Sequence, residues 1–212
     1  MEKDTIYNLI IVDESGSMSS IQQPTVDGFN MLLSNIKSSA KEFEDQIHKV
    51  SFVSFNSVNG VRFITDLSPA KEVKKVKYKE YNPDGGTPLY DVIGASVNRL
   101  RKQISEDQNA KVLVSIFTDG YENASKEFSV YYIQSMVRLL ELEGWTFSYI
   151  GTDHDVESVA IQLNISNSMK FDKSEQGMKA MFKRENDSRK SFYNRVREKD
   201  TDLTINLFKK NK

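Results

Sequence analysis

The sequence predicts an α/β fold: a three-layer, doubly wound and mostly parallel sheet of six strands, with one antiparallel edge strand. Apolar runs of strand length alternate along the 212 residues with segments of helical period. Such alternation is typical of a parallel sheet covered by helices on both faces. Two of the runs are separated instead by Asn59-Gly60, a dipeptide that suits a tight hairpin because both residues tolerate positive φ. We therefore expect that pair to be antiparallel.

Each element is predicted from the spacing of its apolar residues. Strands are expected at 6–12, 50–55, 61–67, 111–118, 145–150 and 169–171, and helices around 26–36, 89–104, 128–142, 156–163 and 174–198. The first run is almost continuously apolar, as a central strand buried on both faces would be. His48 begins a strand and is given a structural role. The lysine-rich stretch 71–79 is interpreted as a solvated helical face.

Composition indicates one globular domain. Hydrophobic residues make up 38% of the chain and charged residues 28%, which is not the balance of a disordered protein. Cysteine is absent, which excludes disulfides, zinc–thiolate sites and thiol nucleophiles. The N-terminal apolar run is too short for a signal peptide or a membrane span. We expect a cytoplasmic protein, with a lost or trimmed targeting segment as the alternative.

The charge is unevenly distributed although the net charge is −1. Residues 170–212 hold thirteen Lys and Arg against seven Asp and Glu, a net +6, and residues 1–169 hold sixteen against twenty-three, a net −7. An acidic body with a basic end argues against a general nucleic-acid binder. The basic end could still contact an acidic partner.

Three short polar motifs each follow a strand or open a helix. Asp13, Ser15 and Ser17 follow the first strand, and alternate side chains of an extended loop point the same way. Thr87 precedes the helix at 89–104, and Asp119 follows the strand at 111–118. Because the carboxyl ends of parallel strands meet in one crevice, these five side chains should converge.

The convergent atoms would form a site of hard oxygen ligands. Two carboxylates and three hydroxyls, without sulfur or imidazole, suit Mg²⁺ or Mn²⁺ better than zinc or copper. Each motif also has a local interpretation. Ser15 or Ser17 could cap a helix, Thr87 before Pro88 has the pattern of an N-cap, and Thr118-Asp119-Gly120 could be a simple turn. If all three motifs had only local roles, however, their order along the chain and their positions after a strand or before a helix would be three separate coincidences.

The motifs together resemble the metal-ion-dependent adhesion site of von Willebrand factor A domains. The order DxSxS, Thr in GGTP, and TDG after a strand matches along essentially the whole chain. The segments DESGSMSSI, GGTPLYDVIG, TDGYENASKEFS and GWTFSYIGTDHD are most similar to small stand-alone bacterial and phage-type members. The resemblance implies a Rossmann-like, von Willebrand factor A-like fold. It also implies that Ser15, Ser17 and Thr87 bind the ion directly, and that Asp13 and Asp119 bind it directly or through water.

The same resemblance implies a function. In this family a carboxylate of the partner often completes the metal coordination, so we expect a protein partner that offers an Asp or Glu. An ATPase or another protein encoded in the same operon is a candidate. We expect a monomer that binds neither nucleic acid nor membrane.

Other polar residues near the motifs are given lesser roles. His154, between Asp153 and Asp155, could belong to a second metal or proton-relay site, but a surface loop or helix cap is the preferred interpretation. Glu14 and Glu122 could tune the charge of the site without being ligands. Met18 and Tyr121 are expected to pack rather than bind.

Two other functions, a Mg²⁺-dependent enzyme and an ion-independent scaffold, fit the sequence less well. A Mg²⁺-dependent hydrolase or phosphoryl-transfer enzyme would need a nucleophile, a base or a phosphate cradle beside the metal. The sequence has no Walker-type loop, and position 15 is Ser where an aspartyl-phosphate phosphatase needs a second Asp. No His or Lys is a sequence neighbour of the five residues. An ion-independent scaffold is disfavoured because all five are intact. The prediction is a cation-dependent binding module and not an enzyme.

The C-terminal end has two interpretations. We take 1–199 as the domain and 200–212 as a tail. An apolar stripe on the helix 174–198 should dock on the sheet and leave seven basic side chains on its surface: Lys179, Lys183, Arg184, Arg189, Lys190, Arg195 and Arg197. Leu203, Ile205 and Leu207 then alternate with polar residues, so 201–208 is either a frayed tail or a strand added to a sheet edge.

Overall fold

The computed structural model of the protein describes residues 3–204 and 207–208. Its six strands are β1 Asp4–Asp13, β2 Gln46–Asn56, β3 Gly60–Pro69, β4 Ala110–Thr118, β5 Thr146–Gly151 and β6 Asn167–Lys170. Its helices are α1 Gln22–Glu42, α2 Leu89–Gln103, α3 Val130–Leu142, α4 Val156–Gln162 and α5 Glu175–Arg197. Three short 3-10 helices lie at Gly16–Ile21, Ala70–Glu72 and Tyr78–Glu80.

The predicted fold class is confirmed. The sheet has the order β3-β2-β1-β4-β5-β6, and every neighbouring pair is parallel except β2 and β3. The hairpin turn ends at Gly60, whose φ of +65° suits a residue without a side chain. The edge strand 61–67 is therefore antiparallel to its neighbour, as the Asn59-Gly60 turn predicts.

Helices cover both faces of the sheet and create two apolar layers. One layer joins the inward residues of α1 and α5 to one face, and it includes three phenylalanines in edge or stacked contact, Phe29, Phe117 and Phe182. The other joins α2, α3 and α4 to the opposite face. β1 lies in the middle of the sheet and is buried almost throughout, as its nearly continuous apolar run predicts. Within the described ranges, no helix is both long and apolar enough to cross a membrane.

A buried polar network fixes α5 on the sheet. Arg189 is 1% exposed and its guanidinium donates to Asn8 Oδ1 at 2.7 Å, to Ser115 Oγ at 2.7 Å and to Glu185 Oε1 at 2.5 Å. Tyr193 donates from its hydroxyl to the same Asn8 oxygen at 2.6 Å. The prediction that Arg189 is a surface charge was wrong, because its charge is balanced internally by Glu185.

Two further sequence interpretations are corrected. The stretch 71–79 is not one helical face: between two short 3-10 helices the backbone is irregular, and Val73 and Val76 are buried. The described residues of 201–208 form bends and a turn rather than a strand, and Ile205 lies outside the described residues. The end of the chain is also not simply frayed, because Leu203 and Leu207 are buried. Thr146 Oγ1 donates to the Leu203 carbonyl at 2.9 Å.

Candidate metal site

The five predicted ligands come together at the carboxyl ends of β1 and β4. Asp13 is the last residue of β1, and Asp119 follows Thr118, the last residue of β4. β1 and β4 are parallel neighbours, and the chain leaves β1 toward one half of the sheet and β4 toward the other. Such a switch point leaves a crevice between the loops, which is where open α/β sheets bind ligands.

Asp13 is held at the floor of the crevice. Its Oδ1 accepts the Ser15 backbone N–H at 2.8 Å, and its Oδ2 accepts the Thr118 hydroxyl at 2.6 Å. The Tyr81 hydroxyl donates to the Asp13 backbone carbonyl at 2.6 Å. These bonds fix the position of the carboxylate and of the start of its loop.

The two serines connect Asp13's loop to Asp119. Ser15 Oγ lies 3.2 Å from Ser17 Oγ, and Ser17 Oγ donates to Asp119 Oδ1 at 2.6 Å. Ser15 begins the 3-10 helix Gly16–Ile21, but its side chain makes no capping hydrogen bond. The capping interpretation of Ser15 is therefore not what the structure shows.

Thr87 faces the same space from a third loop. A Cβ placed on Gly120 would lie 3.9 Å from Thr87 Oγ1 and 4.0 Å from Ser17 Oγ, so these hydroxyls approach the same point. The Thr87 backbone is clamped to the loop after β4: its N–H donates to Asn123 Oδ1 at 2.8 Å, and its carbonyl accepts the Asn123 N–H at 3.2 Å. Pro88, not Thr87, is the N-cap of α2, and it makes no side-chain cap.

Residues around the ligands lock the loops in place. Arg62 binds both carboxylate oxygens of buried Glu14, at 3.0 and 2.8 Å, which directs that carboxylate away from the crevice. Glu122 accepts backbone N–H groups of Tyr90, Ala124 and Ser125. Both carboxylates are thus engaged by other groups, and their exclusion from the proposed ligand set stays a prediction. Sequence reasoning missed Tyr81, Thr118 and Asn123, because their role depends on contacts between distant loops.

Burial controls the electrostatics of the site. It raises the pKa of the Asp13 carboxyl to about 6, against the opposing effect of the bonds from Thr118 and Ser15. Burial, together with the nearby Asp13, Glu14 and Asp119 charges, also holds the pKa of the Tyr81 hydroxyl well above its usual value. Burial thus disfavours the charged form of the Asp13 carboxyl, and a bound cation would favour it.

One cation of the chain does reach the site. Lys173, in the turn between β6 and α5, places its Nζ 2.9 Å from Asp119 Oδ2 and 2.5 Å from Asp153 Oδ2. The Asp119 side chain is fully buried and the Lys173 side chain is partly exposed, so this contact is an ion pair between a buried carboxylate and a half-buried ammonium. Burial alone would lower the pKa of Lys173, but the two carboxylates outweigh it and raise that pKa. Sequence reasoning found no lysine here because Lys173 is far from the motifs along the chain.

The Asp153-His154-Asp155 segment lies beside the crevice, where Asp153 pairs with Lys173. His154 is buried, and its Nε2 lies 2.9 Å from the Tyr149 hydroxyl. Burial lowers the pKa of this imidazole. The N-cap of α4 is Asp155, which accepts the Ser158 N–H at 3.0 Å, so the interpretation of His154 as a surface-loop or capping residue was wrong. Tyr121 is 55% exposed and lies with its ring 5.0 Å from the imidazole.

The donor set of the crevice fits a hard divalent cation. Across residues 3–204 and 207–208, no group of three or more His, Cys, Asp or Glu side chains could hold a metal ion. A cation in this crevice would therefore depend on the hydroxyls of Ser15, Ser17 and Thr87 together with the two aspartates. Such an oxygen set matches Mg²⁺ or Mn²⁺ rather than a metal that requires nitrogen or sulfur.

Comparison with known proteins supports the fold. No protein-family profile matches the sequence, and no curated protein matches it. Among solved structures, the chain is similar to a PilB minor pilin from Streptococcus sanguinis, with a TM-score of 0.66, 12% identity and 89% of this chain covered. It is also similar to a von Willebrand factor type A protein from Catenulispora acidiphila, with a TM-score of 0.62, 14% identity and 87% covered.

A third neighbour is named with a metal-binding motif. It is proximal thread matrix protein 1 from the mussel byssus "with zinc occupied MIDAS motif", at a TM-score of 0.56, 13% identity and 85% of this chain covered. MIDAS denotes the metal-ion-dependent adhesion site. The chain spans only 62%, 42% and 44% of the lengths of these three proteins, in the order given. The chain therefore has a von Willebrand factor A-like α/β fold, and its neighbours include a protein with a metal-binding adhesion motif.

Proposed function

We propose that the chain is a von Willebrand factor A domain with an intact metal-ion-dependent adhesion site, which binds a protein partner through a divalent cation. Mg²⁺ or Mn²⁺ would be held by Asp13, Ser15, Ser17, Thr87 and Asp119. The observation that carries the proposal is the convergence of these oxygen atoms from three separate loops on the crevice between β1 and β4. The neighbour with the zinc-occupied motif is consistent with it.

The partner would contribute a carboxylate. Three of the five proposed ligands are neutral hydroxyls, so only Asp13 and Asp119 offer negative charge to the ion, and Asp119 also accepts a hydrogen bond from Ser17 Oγ that draws on the same carboxylate. The bound ion would supply a partly unneutralised positive charge at the open position. Such a charge favours an anionic oxygen from Asp or Glu. The proposed partner surface is therefore acidic at its centre.

The enzymatic alternative has less support. A hydrolase would need an activated nucleophile or base free to approach a substrate at the metal. The two basic side chains nearest the crevice are engaged: Lys173 is paired with two carboxylates, and the imidazole of His154 contacts the Tyr149 hydroxyl. The pilin, adhesin and matrix proteins among the neighbours also favour binding over catalysis.

The cellular location and the partner are proposed as well. We retain a cytoplasmic monomer, with an ATPase or another protein of the same operon as the candidate partner and with no binding to nucleic acid or membrane. The pilin and the pilus adhesin among the neighbours are 12–14% identical to this chain. At that identity they support the fold and not the location.

Two measurements on the same variants test the function. Calorimetric titration with Mg²⁺ should give one site in the wild type and no measurable binding in Asp119→Ala. Capture of partners from native lysate should require Mg²⁺, be abolished by EDTA, and be abolished by Thr87→Ala. A partner captured equally well in EDTA and by Thr87→Ala would contradict the proposal.

A matched control comes from the same loop. Ser20 is exposed, lies in the same 3-10 helix as Ser17, and its hydroxyl donates only to the Ser17 carbonyl at 3.4 Å. Ser20→Ala should bind Mg²⁺ like the wild type, whereas Ser17→Ala should bind it more weakly. An equal loss in both variants would mean that the loop was disturbed rather than a ligand removed.

A further inference from the structure

Lys173 lies between a buried carboxylate and an exposed one. The Asp119 side chain is fully buried, the Lys173 side chain is 25% exposed, and the Asp153 side chain is 53% exposed. The ammonium contacts both at the same time, at 2.9 Å and 2.5 Å. The lysine thus has one contact inside the candidate metal site and a second contact at its rim.

The backbone that carries Lys173 is held on both sides. Asp172 Oδ1 accepts the Ser174 N–H at 2.7 Å, and Ser174 caps α5 by accepting the Gly177 N–H at 3.1 Å. A Cβ on Gly177 would lie 2.2 Å from the Asp172 carbonyl oxygen, so only glycine permits this close turn. Since α5, which follows this turn, is anchored through Arg189, the Lys173 side chain can move without a movement of α5.

We infer that Lys173 is a tethered competitor of the metal ion: its ammonium pairs with Asp119 in the metal-free protein, and it gives up that contact and keeps only the one with Asp153 when a divalent cation binds. This inference rests on the proposed metal site. An ammonium and a divalent cation repel each other, and both need the Asp119 carboxylate. After the exchange the Lys173 ammonium is still paired with Asp153, and the Asp119 carboxylate is balanced by the bound cation.

The competition has a direct consequence for affinity. Part of the free energy of metal binding is used to break the contact between Lys173 and Asp119, so the site binds metal more weakly than its five oxygen atoms alone would. Removal of the lysine should strengthen metal binding. Removal of Asp153 should weaken it, because the ammonium then has only Asp119 as a partner.

Calorimetric titration with Mg²⁺ and Mn²⁺ on four proteins tests this pair of opposite effects. Lys173→Met keeps the unbranched chain without the charge, and we expect it to bind at least about fivefold more tightly than the wild type, at the low end of typical coupling between sites. Asp153→Asn should bind more weakly. Asn is a suitable replacement because Asp153 has a φ of +53°, which Asn tolerates. In the double variant, Asp153→Asn should have no further effect.

The double variant separates two explanations for Asp153. A carboxylate near the site could also attract the metal ion simply by its field, and that attraction would persist without Lys173. A loss of affinity from Asp153→Asn that is equally large in the Lys173→Met background would therefore overturn the role given to Asp153. Lys170→Met serves as a control, because it removes an equal charge from the same sheet edge, three residues earlier in the sequence, and should change the affinity less than twofold.

Thermal melting gives an independent readout. Without metal, Lys173→Met should melt at a lower temperature than the wild type because the buried Asp119 charge loses its counter-ion. Its rise in melting temperature on addition of Mg²⁺ should exceed that of the wild type. If both proteins bind metal and Lys173→Met binds it no more tightly, the inference is overturned and the proposed function stands. If neither protein binds Mg²⁺ or Mn²⁺, the proposed function itself fails.

Discussion

Replacement of Arg189 by Met should destabilise the protein strongly, although the sequence suggests a tolerant surface position. Arg189 is 1% exposed and Glu185 is 2% exposed, one helical turn apart on α5. The change would leave the Glu185 carboxylate buried, with the Ser115 hydroxyl at 3.1 Å as its remaining hydrogen bond. Removal of one partner of a buried ion pair costs about 3–5 kcal/mol, because the other charge stays buried without compensation.

The double change Arg189→Met with Glu185→Leu should recover most of that loss. The polar atoms that Arg189 contacts keep other partners: Asn8 Oδ1 still accepts the Tyr193 hydroxyl at 2.6 Å, and Ser115 Oγ still lies 3.2 Å from Ser148 Oγ. Apolar residues of similar volume in place of a buried ion pair are often neutral or stabilising. The network should therefore matter less for stability than for the position of α5.

Urea unfolding followed by circular dichroism, in EDTA, measures both changes as differences in the free energy of unfolding. We expect a loss of about 3–5 kcal/mol for the single variant and less than about 1 kcal/mol for the double variant. A single variant that loses less than about 1 kcal/mol, or a double variant that loses as much as the single, would refute the reasoning.

Three further predictions concern burial and charge. Gly28→Ala should lower the free energy of unfolding by about 1–3 kcal/mol, because the new Cβ would lie 1.9 Å from a ring atom of buried Phe182. Urea unfolding measures this loss, and the exposed substitution Ser38→Ala on the same helix, as a control, should leave the free energy of unfolding unchanged. Burial, and then the charge of Arg189, lower the pKa of His48 to about 4. Below pH 6.5 the unfolded chain then binds a proton at His48 that the folded chain does not, so His48 should contribute a loss of up to roughly 3 kcal/mol as pH drops from 6.5 to 4; the difference between the wild type and His48→Phe in a pH series of unfolding curves measures that contribution. Burial raises the pKa of Asp13 to about 6, so in the metal-free protein Asp13 should contribute in the opposite direction, with stability lost as pH rises from about 4 to 6, and the Mg²⁺-induced rise in melting temperature should be smaller at pH 5 than at pH 7.5.

The parts of the fold that follow from periodicity could be predicted from the sequence. β1 is buried on both faces, so every position is apolar or hydrogen-bonded, and the Asn59-Gly60 turn requires an antiparallel hairpin. The convergence of the five ligands could also be predicted, because parallel neighbours end at the same edge of the sheet.

The parts that depend on long-range pairing could not be predicted. Arg189 can be buried because Glu185, Asn8 and Ser115 bind its guanidinium. The sequence of its helix is otherwise rich in charged residues, a pattern that predicts a solvent-exposed surface. The stretch 71–79 has apolar residues at helical spacing in Val73 and Val76, yet both are buried from irregular backbone. At the end of the chain, side chains of Thr146 and Asn167 bind the backbone of 203–207, where a strand ladder was one of the interpretations.

Lys173 was missed for the same reason. Its position depends on the turn between β6 and α5, and no local motif marks it. The glycine at 177 and the cap at Ser174 could have indicated a tight turn there. They could not have indicated that the turn points a cation at Asp119.

Electron paramagnetic resonance of Mn²⁺ tests the central claim most directly, because the signal of the free ion disappears when the ion is bound. Titration of Mn²⁺ into the wild type should show one bound ion per chain, and excess Mg²⁺ should release it. Ser17→Ala and Thr87→Ala should each weaken that binding, whereas Ser20→Ala should not. An undiminished free-ion signal in the presence of the wild type, or a bound ion that both ligand variants retain unchanged, would contradict the account.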